Sequence, residues 1–84
     1  MTLQATAVTP DRPLADRVRA AQLPSPQVRR RIRRDSRATL RDFADELGVS
    51  AMTVLRWEQG KAEPRMDHAI AYRQLLDQMR EAAK

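Results

Sequence analysis

Arginine is the residue type of this chain whose number and spacing point most directly to chemistry. Seven of the 14 arginines lie between residues 25 and 41, where they face a single aspartate and give that stretch a net charge of +6. The whole chain carries only +5, because residues 42–64 are net acidic. Guanidinium groups bind phosphates and guanine edges through paired N–H donors. A charge block can also be a solvated helix face, and composition alone leaves both interpretations open.

Other classes of chemistry are poorly supported by the sequence. The chain has no cysteine, and its one histidine, His68, cannot form a zinc site alone. No motif places a nucleophile or a paired carboxylate beside that histidine, so we predict no enzyme activity and no cofactor. No apolar run is long enough for a membrane span, and the first residues lack the order of a signal peptide. We therefore expect a soluble, cytoplasmic, nucleoid-associated protein without a membrane contact.

Capping residues and helical spacing predict four helices. The predicted ranges are 26–36, 40–47, 51–59 and 67–82. Ser25 followed by Pro26 is a helix start, and Thr39 with Asp42 is a capping box. Gly48 and Gly60 are stop signals, Ser50 is a further N-cap, and Asp67 is expected to cap the last helix. No segment alternates with period two, so we predict an all-α fold of four to five helices.

Residues 1–25 contain most of the prolines and are predicted to be an N-terminal arm, with a short helix at 13–22. Residues 26–84 are predicted to form the folded domain. Its last helix carries an apolar stripe, made of Ala69, Tyr72, Leu76, Met79 and Ala83. Two coverings of this stripe stay open: the arm folds back over it, or a second copy pairs with it to give a homodimer. The arm is also a candidate contact for a protein partner.

The predicted helices 40–47 and 51–59 have the spacing of a helix-turn-helix, since only three residues separate them. Ala44 is small enough for a close crossing, and Gly48 permits a positive φ in the turn. Val49, Val54 and Trp57 are expected to fill the angle between the two helices. This joint pattern, next to the basic stretch, predicts a central helix-turn-helix that binds double-stranded DNA.

The motifs also resemble a family. Ile32-Arg33, Phe43-Ala44, Leu47-Gly48-Val49-Ser50 and Trp57-Glu58-Gln59-Gly60 resemble the helix-turn-helix domains of the Cro and phage-repressor type, the xenobiotic response element family, over residues 26–79. Two positions depart from its pattern, because Arg37 stands where Gly is frequent and Leu40 where a phosphate-binding Gln is frequent. The resemblance implies that helix 51–59 enters the major groove with its N-terminal residues toward the bases. It also implies a structural ion pair between Arg33 and Glu58.

Candidate DNA contacts follow from the faces left free. Base contacts are predicted for Ser50, Ala51, Met52 and Arg56, with Arg56 suited to a guanine and the apolar pair to thymine methyl groups. Contacts to the DNA backbone are predicted for Thr39, Arg41, Thr53, Gln59, Lys61 and Arg65. The side chains of Arg29, Arg30, Arg34 and Arg37 are expected on the exposed side of the first helix, where they contribute mainly to the electrostatic field.

Three functions compete at this point. The leading interpretation is a sequence-specific transcriptional regulator, a repressor or Cro-like protein. The second is an architectural factor that sets the direction of a recombinase by bending DNA. The third is an antitoxin-like interaction module whose arm blocks a partner protein.

Overall fold

The computed structural model describes residues 14–83, and all regular structure in that range is helical. Five helices follow one another: α1 Leu14–Ala21, α2 Pro26–Asp35, α3 Leu40–Leu47, α4 Ala51–Glu58 and α5 Met66–Ala82. The prediction of an all-α fold with four to five helices is confirmed. α1 lies within the range predicted for a short helix in the arm, while residues 1–13 of that arm and Lys84 lie outside the described residues.

Local capping explains where the central helices begin. The hydroxyl of Ser25 accepts from the backbone N–H of Val28, and Pro26 occupies the first turn of α2. At α3, Thr39 Oγ1 accepts from the N–H of Asp42 at 3.0 Å, and the Asp42 carboxylate accepts from the N–H of Thr39 at 2.8 Å. This reciprocal pair satisfies two N–H groups that the helix itself leaves without acceptors.

α5 begins differently from the prediction. Asp67 does not cap it: the N-cap is Arg65, whose extended backbone (φ −70°, ψ 168°) precedes Met66, and whose side chain makes no capping hydrogen bond. Asp67 instead lies in the first helical turn. A carboxylate there is favoured by the positive end of the helix dipole, so the residue type marks the helix start without forming the cap.

The core is an aromatic cluster enclosed by α2 to α5. Phe43 meets Tyr72 edge-on with ring centroids 6.2 Å apart, and Trp57 lies over Tyr72 at 5.3 Å. Val54 and Leu76 complete the centre and are almost wholly buried. Because a chain of this size has a thin core, the contact of the Tyr72 ring with both other aromatic rings places it at the centre of the packing.

The apolar face of α5 is broader than predicted. Ala69, Tyr72 and Leu76 are buried as expected, Met79 is half-buried, and Ala83 is exposed. Two further buried side chains, Ile70 and Leu75, were absent from the predicted stripe. The reason is that α5 contacts α1, α2 and α3, so a single stripe is too narrow to serve all three neighbours.

α1 packs against α5, so this part of the predicted arm lies on the folded body. Leu23, just after α1, contacts the hydrophobic core. Arg73 of α5 donates a 2.7 Å hydrogen bond to the carbonyl of Gln22, while Asp77 orients the same guanidinium. Leu14 and Val18 remain exposed.

Candidate nucleic-acid interface

The angle between α3 and α4 is fixed by a small set of contacts. Gly48 adopts a left-handed conformation (φ 69°), which a side chain at that position would strain. The N–H of Val49 donates to the carbonyl of Ala44 at 3.0 Å, so the turn closes on the end of α3. Ala44 and Val54 are fully enclosed where the helices cross. α4 is therefore held with one face inward and cannot rotate about its axis without opening the core.

The outward face of α4 carries the residues predicted to contact bases. Met52 is 56% exposed, an unusual position for a large apolar side chain in a small domain, and Ser50 and Arg56 are also exposed. Ala51 differs, because it is half-buried and packs against the core. The Ser50 hydroxyl accepts from the N–H of Thr53 at 3.1 Å. This capping hydrogen bond holds the Ser50 hydroxyl at the start of α4.

The residues predicted to contact the DNA backbone surround α4. Thr39 is the N-cap of α3 and Gln59 is the C-cap of α4. The six residues are Thr39, Arg41, Thr53, Gln59, Lys61 and Arg65. Five of them are exposed, and Thr53 is half-buried. Thr39 and Arg65 are N-caps, where free N–H groups and the helix dipole favour a phosphate. Gln59 and Lys61 follow the C-terminus of α4, so a phosphate contact there depends on their side chains.

Hydrogen bonds from Thr39 lower the pKa of the Asp42 carboxyl below its usual 3.8, the backbone N–H contributing most and the side chain less. The carboxylate therefore stays charged at the N-terminus of α3. It balances the positive end of that helix dipole, and the adjacent residue Arg41 is exposed.

Arg33 and Glu58 lie face to face between α2 and the end of α4. Arg33 Nε donates to Glu58 Oε2 at 2.6 Å, Nη2 donates to Oε1 at 3.0 Å, and Nη1 donates to the carbonyl of Ala38 at 2.9 Å. The Glu58 side chain is only 2% exposed. Hydrogen bonding to Glu58 raises the pKa of Arg33. With all three guanidinium nitrogens engaged inside the protein, this arginine is not available to bind phosphate.

Arg29 is the residue that sequence reasoning placed wrongly. It was expected on the exposed side of α2, but it is only 4% exposed. Its Nε donates to the carbonyl of Pro24 at 2.8 Å, Nη1 to the carbonyl of Trp57 at 3.3 Å and Nη2 to Glu63 at 3.1 Å. The guanidinium also lies over the Tyr72 ring, 5.7 Å from its centroid. Helical spacing was the missed signal, because position 29 lies one turn before Ile32 and Arg33 on the inward face.

Arg30, Arg34 and Arg37 are exposed, as expected for them. Arg37 is in the turn after α2, with φ at 60°, and is the only described residue other than glycine with a positive φ. Its left-handed backbone gives a physical reason why glycine suits this position.

A helix-turn-helix family model matches residues 30–80, which is more than half of the chain. The chain belongs to the Cro/C1-type helix-turn-helix family. This family consists of DNA-binding domains rather than enzymes, so the protein is a DNA-binding regulator of the Cro type whose partner is double-stranded DNA. No curated protein and no solved structure matches the chain.

For this helix-turn-helix protein, the match begins at Arg30 and so omits α1 and Arg29, although both contact the matched region. Between residues 14 and 83, no group of three or more His, Cys, Asp or Glu side chains is placed to hold a metal ion. In that same range, none of the helices combines the length and apolarity that crossing a bilayer requires.

Proposed function

We propose that this protein is a sequence-specific transcriptional regulator, acting as a repressor or Cro-like factor, and that α4 reads the major groove. The supporting observation is the fixed orientation of α4. Val54 and Trp57 are locked in the core, so Met52 and Arg56, one turn apart, stay on the outward face. Two long side chains aligned on an exposed helix face suit a groove that admits one helix.

Each outward residue has a distinct role in this proposal. Arg56 donates to O6 and N7 of a guanine, a bidentate contact that contributes about 1–3 kcal/mol of discrimination. Met52, together with the half-buried Ala51, contacts a thymine methyl group. Ser50 contacts a base at the N-terminal end of α4 while it continues to cap the helix.

The backbone contacts hold α4 in register. Thr39 and Arg41 at the start of α3 contact one phosphate strand, together with Thr53 of α4 and Gln59, the C-cap of α4. Lys61 and Arg65, in the connection to α5, contact the DNA backbone beyond the end of α4. Such contacts position a protein on DNA without reading its sequence.

Selection of bound duplexes from a random library, followed by titration of variants, tests the proposal. Arg56→Ala should weaken the selected site by about 1–3 kcal/mol and relax preference at one base pair, while a scrambled duplex changes little. The matched control is Arg80→Ala, which removes the same charge from the exposed surface of α5. If Arg56→Ala weakens both duplexes equally, α4 binds only the backbone and an architectural role is favoured.

The selected sites also test whether two copies bind together. A homodimer predicts two inverted half-sites about one helical turn apart. Sedimentation of the full chain with and without that duplex provides the second measurement, and a single half-site bound by one copy would contradict the dimer.

A further inference from the structure

A groove of about 190 Å³ lies between α2, α3 and α4, near the end of the proposed recognition helix. It is lined by Leu40 and Leu55, which are half-buried, and by Arg30, Arg34 and Gln59, which are exposed. We call it the α2–α4 groove. It combines two half-buried leucines with two exposed arginines in its lining.

No carboxylate lining this groove is free to pair with Arg30 or Arg34, although Asp35 lines the adjacent depression with both of them. Glu58 also lines the groove, but both of its carboxylate oxygens bind Arg33, so that pair contributes no net charge. Within residues 14–83, neither the Arg30 nor the Arg34 guanidinium has a hydrogen-bond or ion-pair partner. Residues four apart on a helix are separated by about 6 Å along its axis. The two arginines therefore lie on one face of α2, and an anion bound between their like charges would reduce their repulsion.

The position of the groove relates it to the DNA. Leu40 follows directly after Thr39, and Gln59 directly follows α4, so the groove adjoins both helix ends assigned above to backbone contacts. A phosphate strand that contacted both of these helix ends would pass over this groove. Planar guanidinium groups suit such a ligand because they donate two parallel hydrogen bonds to phosphate oxygens.

We propose that the α2–α4 groove seats the phosphodiester backbone of the bound duplex, and that Arg30 and Arg34 are its ligands. This inference rests on the proposed function, since it takes α4 as the helix that enters the major groove. It assigns these two arginines a defined contact in place of a general contribution to the field.

A double substitution with a matched control separates a defined contact from a diffuse field. Arg30→Ala/Arg34→Ala removes two charges from the groove. Arg31→Ala/Arg80→Ala removes two charges from a different depression, between α2 and α5. Each protein is titrated with the selected and the scrambled duplex at several salt concentrations, after its unfolding midpoint has been compared with that of the wild type.

The groove variant should bind both duplexes more weakly and flatten the slope of log K against log salt by up to about 1.8, since each neutralised phosphate contributes about 0.9. The control should change the slope by less than half as much. Equal changes in the two variants would overturn the proposal, as would an unchanged slope in the groove variant.

Different results would contradict the proposed function and the proposal for the α2–α4 groove. If library selection with the wild-type protein returns no preferred sequence, the proposed function fails. The slopes on any duplex still report on the groove in that case. If selection returns a clear site and the slopes overturn the groove, only the present inference fails.

Discussion

Arg33 and Glu58 form two hydrogen bonds, of 2.6 and 3.0 Å, that connect the last turn of α2 to the last residue of α4. Glu58→Gln should lower the free energy of unfolding by about 3 kcal/mol, because it leaves the Arg33 guanidinium in a mostly buried site without its counter-charge. Urea denaturation followed by circular dichroism measures the change.

Glu46→Gln, at an exposed position on α3, is the control and should leave the unfolding midpoint nearly unchanged. The double substitution Arg33→Met/Glu58→Met should recover part of the loss, since no charge is then stranded. A Glu58→Gln protein as stable as the wild type would show that the pair contributes nothing.

Arg29 is predicted to stabilise the fold rather than bind DNA. Arg29→Met should cost about 3 kcal/mol, because the carbonyls of Pro24 and Trp57 lose a buried donor and the Tyr72 ring loses its cation. Arg30→Met, at the neighbouring exposed position, should stay within about 0.5 kcal/mol. Equal stability of the two variants would contradict this role.

Glu63 provides a finer test of the same site. Its side chain is 64% exposed, so its bond to Arg29 is screened by water. Glu63→Gln should therefore change the unfolding midpoint far less than Arg29→Met does.

Arg37→Gly is expected to stabilise the protein. A side chain in the left-handed region costs about 1–2 kcal/mol, and the greater freedom of glycine in the unfolded chain offsets about 0.5–1 kcal/mol of the relief. The net gain should be about 0.5–1 kcal/mol in thermal or urea unfolding. Arg31→Gly, inside α2, should instead destabilise by about 1 kcal/mol, and a loss in both variants would contradict the strain at Arg37.

The capping box predicts a pH dependence. Because hydrogen bonds from Thr39 lower the pKa of Asp42 in the folded state, the charged carboxylate stabilises that state above its usual pKa of 3.8. The stabilisation is lost as the pH falls through 3.8 and then through the lower folded value. Wild type should thus exceed Asp42→Asn in stability at neutral pH, and the difference should shrink in acid.

Thr39→Ala removes one of the two hydrogen bonds and serves as the reference background for Asp42. In that background, the stability difference between proteins with and without Asp42→Asn should depend on pH less strongly than the same difference does in the wild-type background. A difference between wild type and Asp42→Asn that is constant from neutral to acidic pH would contradict the effect of the capping box.

Local signals determined what the sequence could predict about this fold. The starts of α2, α3 and α4 depend on Ser25, Thr39 and Ser50, each of which acts within three residues of its own position, so their ranges are nearly those expected from the sequence. Helical spacing places Arg29 on the inward face of α2, but its hydrogen bonds to the Trp57 carbonyl and to Glu63 reach residues that are 28 and 34 positions away in the sequence. Contacts of that kind have no local pattern.

The candidate site also contains features that local sequence signals predict and features that depend on distant contacts. The outward position of Met52 and Arg56 follows from the inward position of Val54 and Trp57, which helical periodicity shows. The half-burial of Ala51 depends on how closely α4 lies against its neighbours, and the α2–α4 groove exists only where three helices meet. Neither is a property of one segment.

Two arginines bind the segment between α1 and α2, and these contacts determine which residues are needed to transfer the domain into another protein. Arg29 contacts Trp57 and Tyr72 and also binds the carbonyl of Pro24, and Arg73 binds that of Gln22, so residues before the matched range are connected to the folded core. A fragment cut to residues 30–80 retains every proposed DNA contact but loses Arg29 itself. The proposed DNA contacts therefore span fewer residues than the folded domain does. A chimaeric protein that includes this DNA-binding domain should contain it from α1 onward.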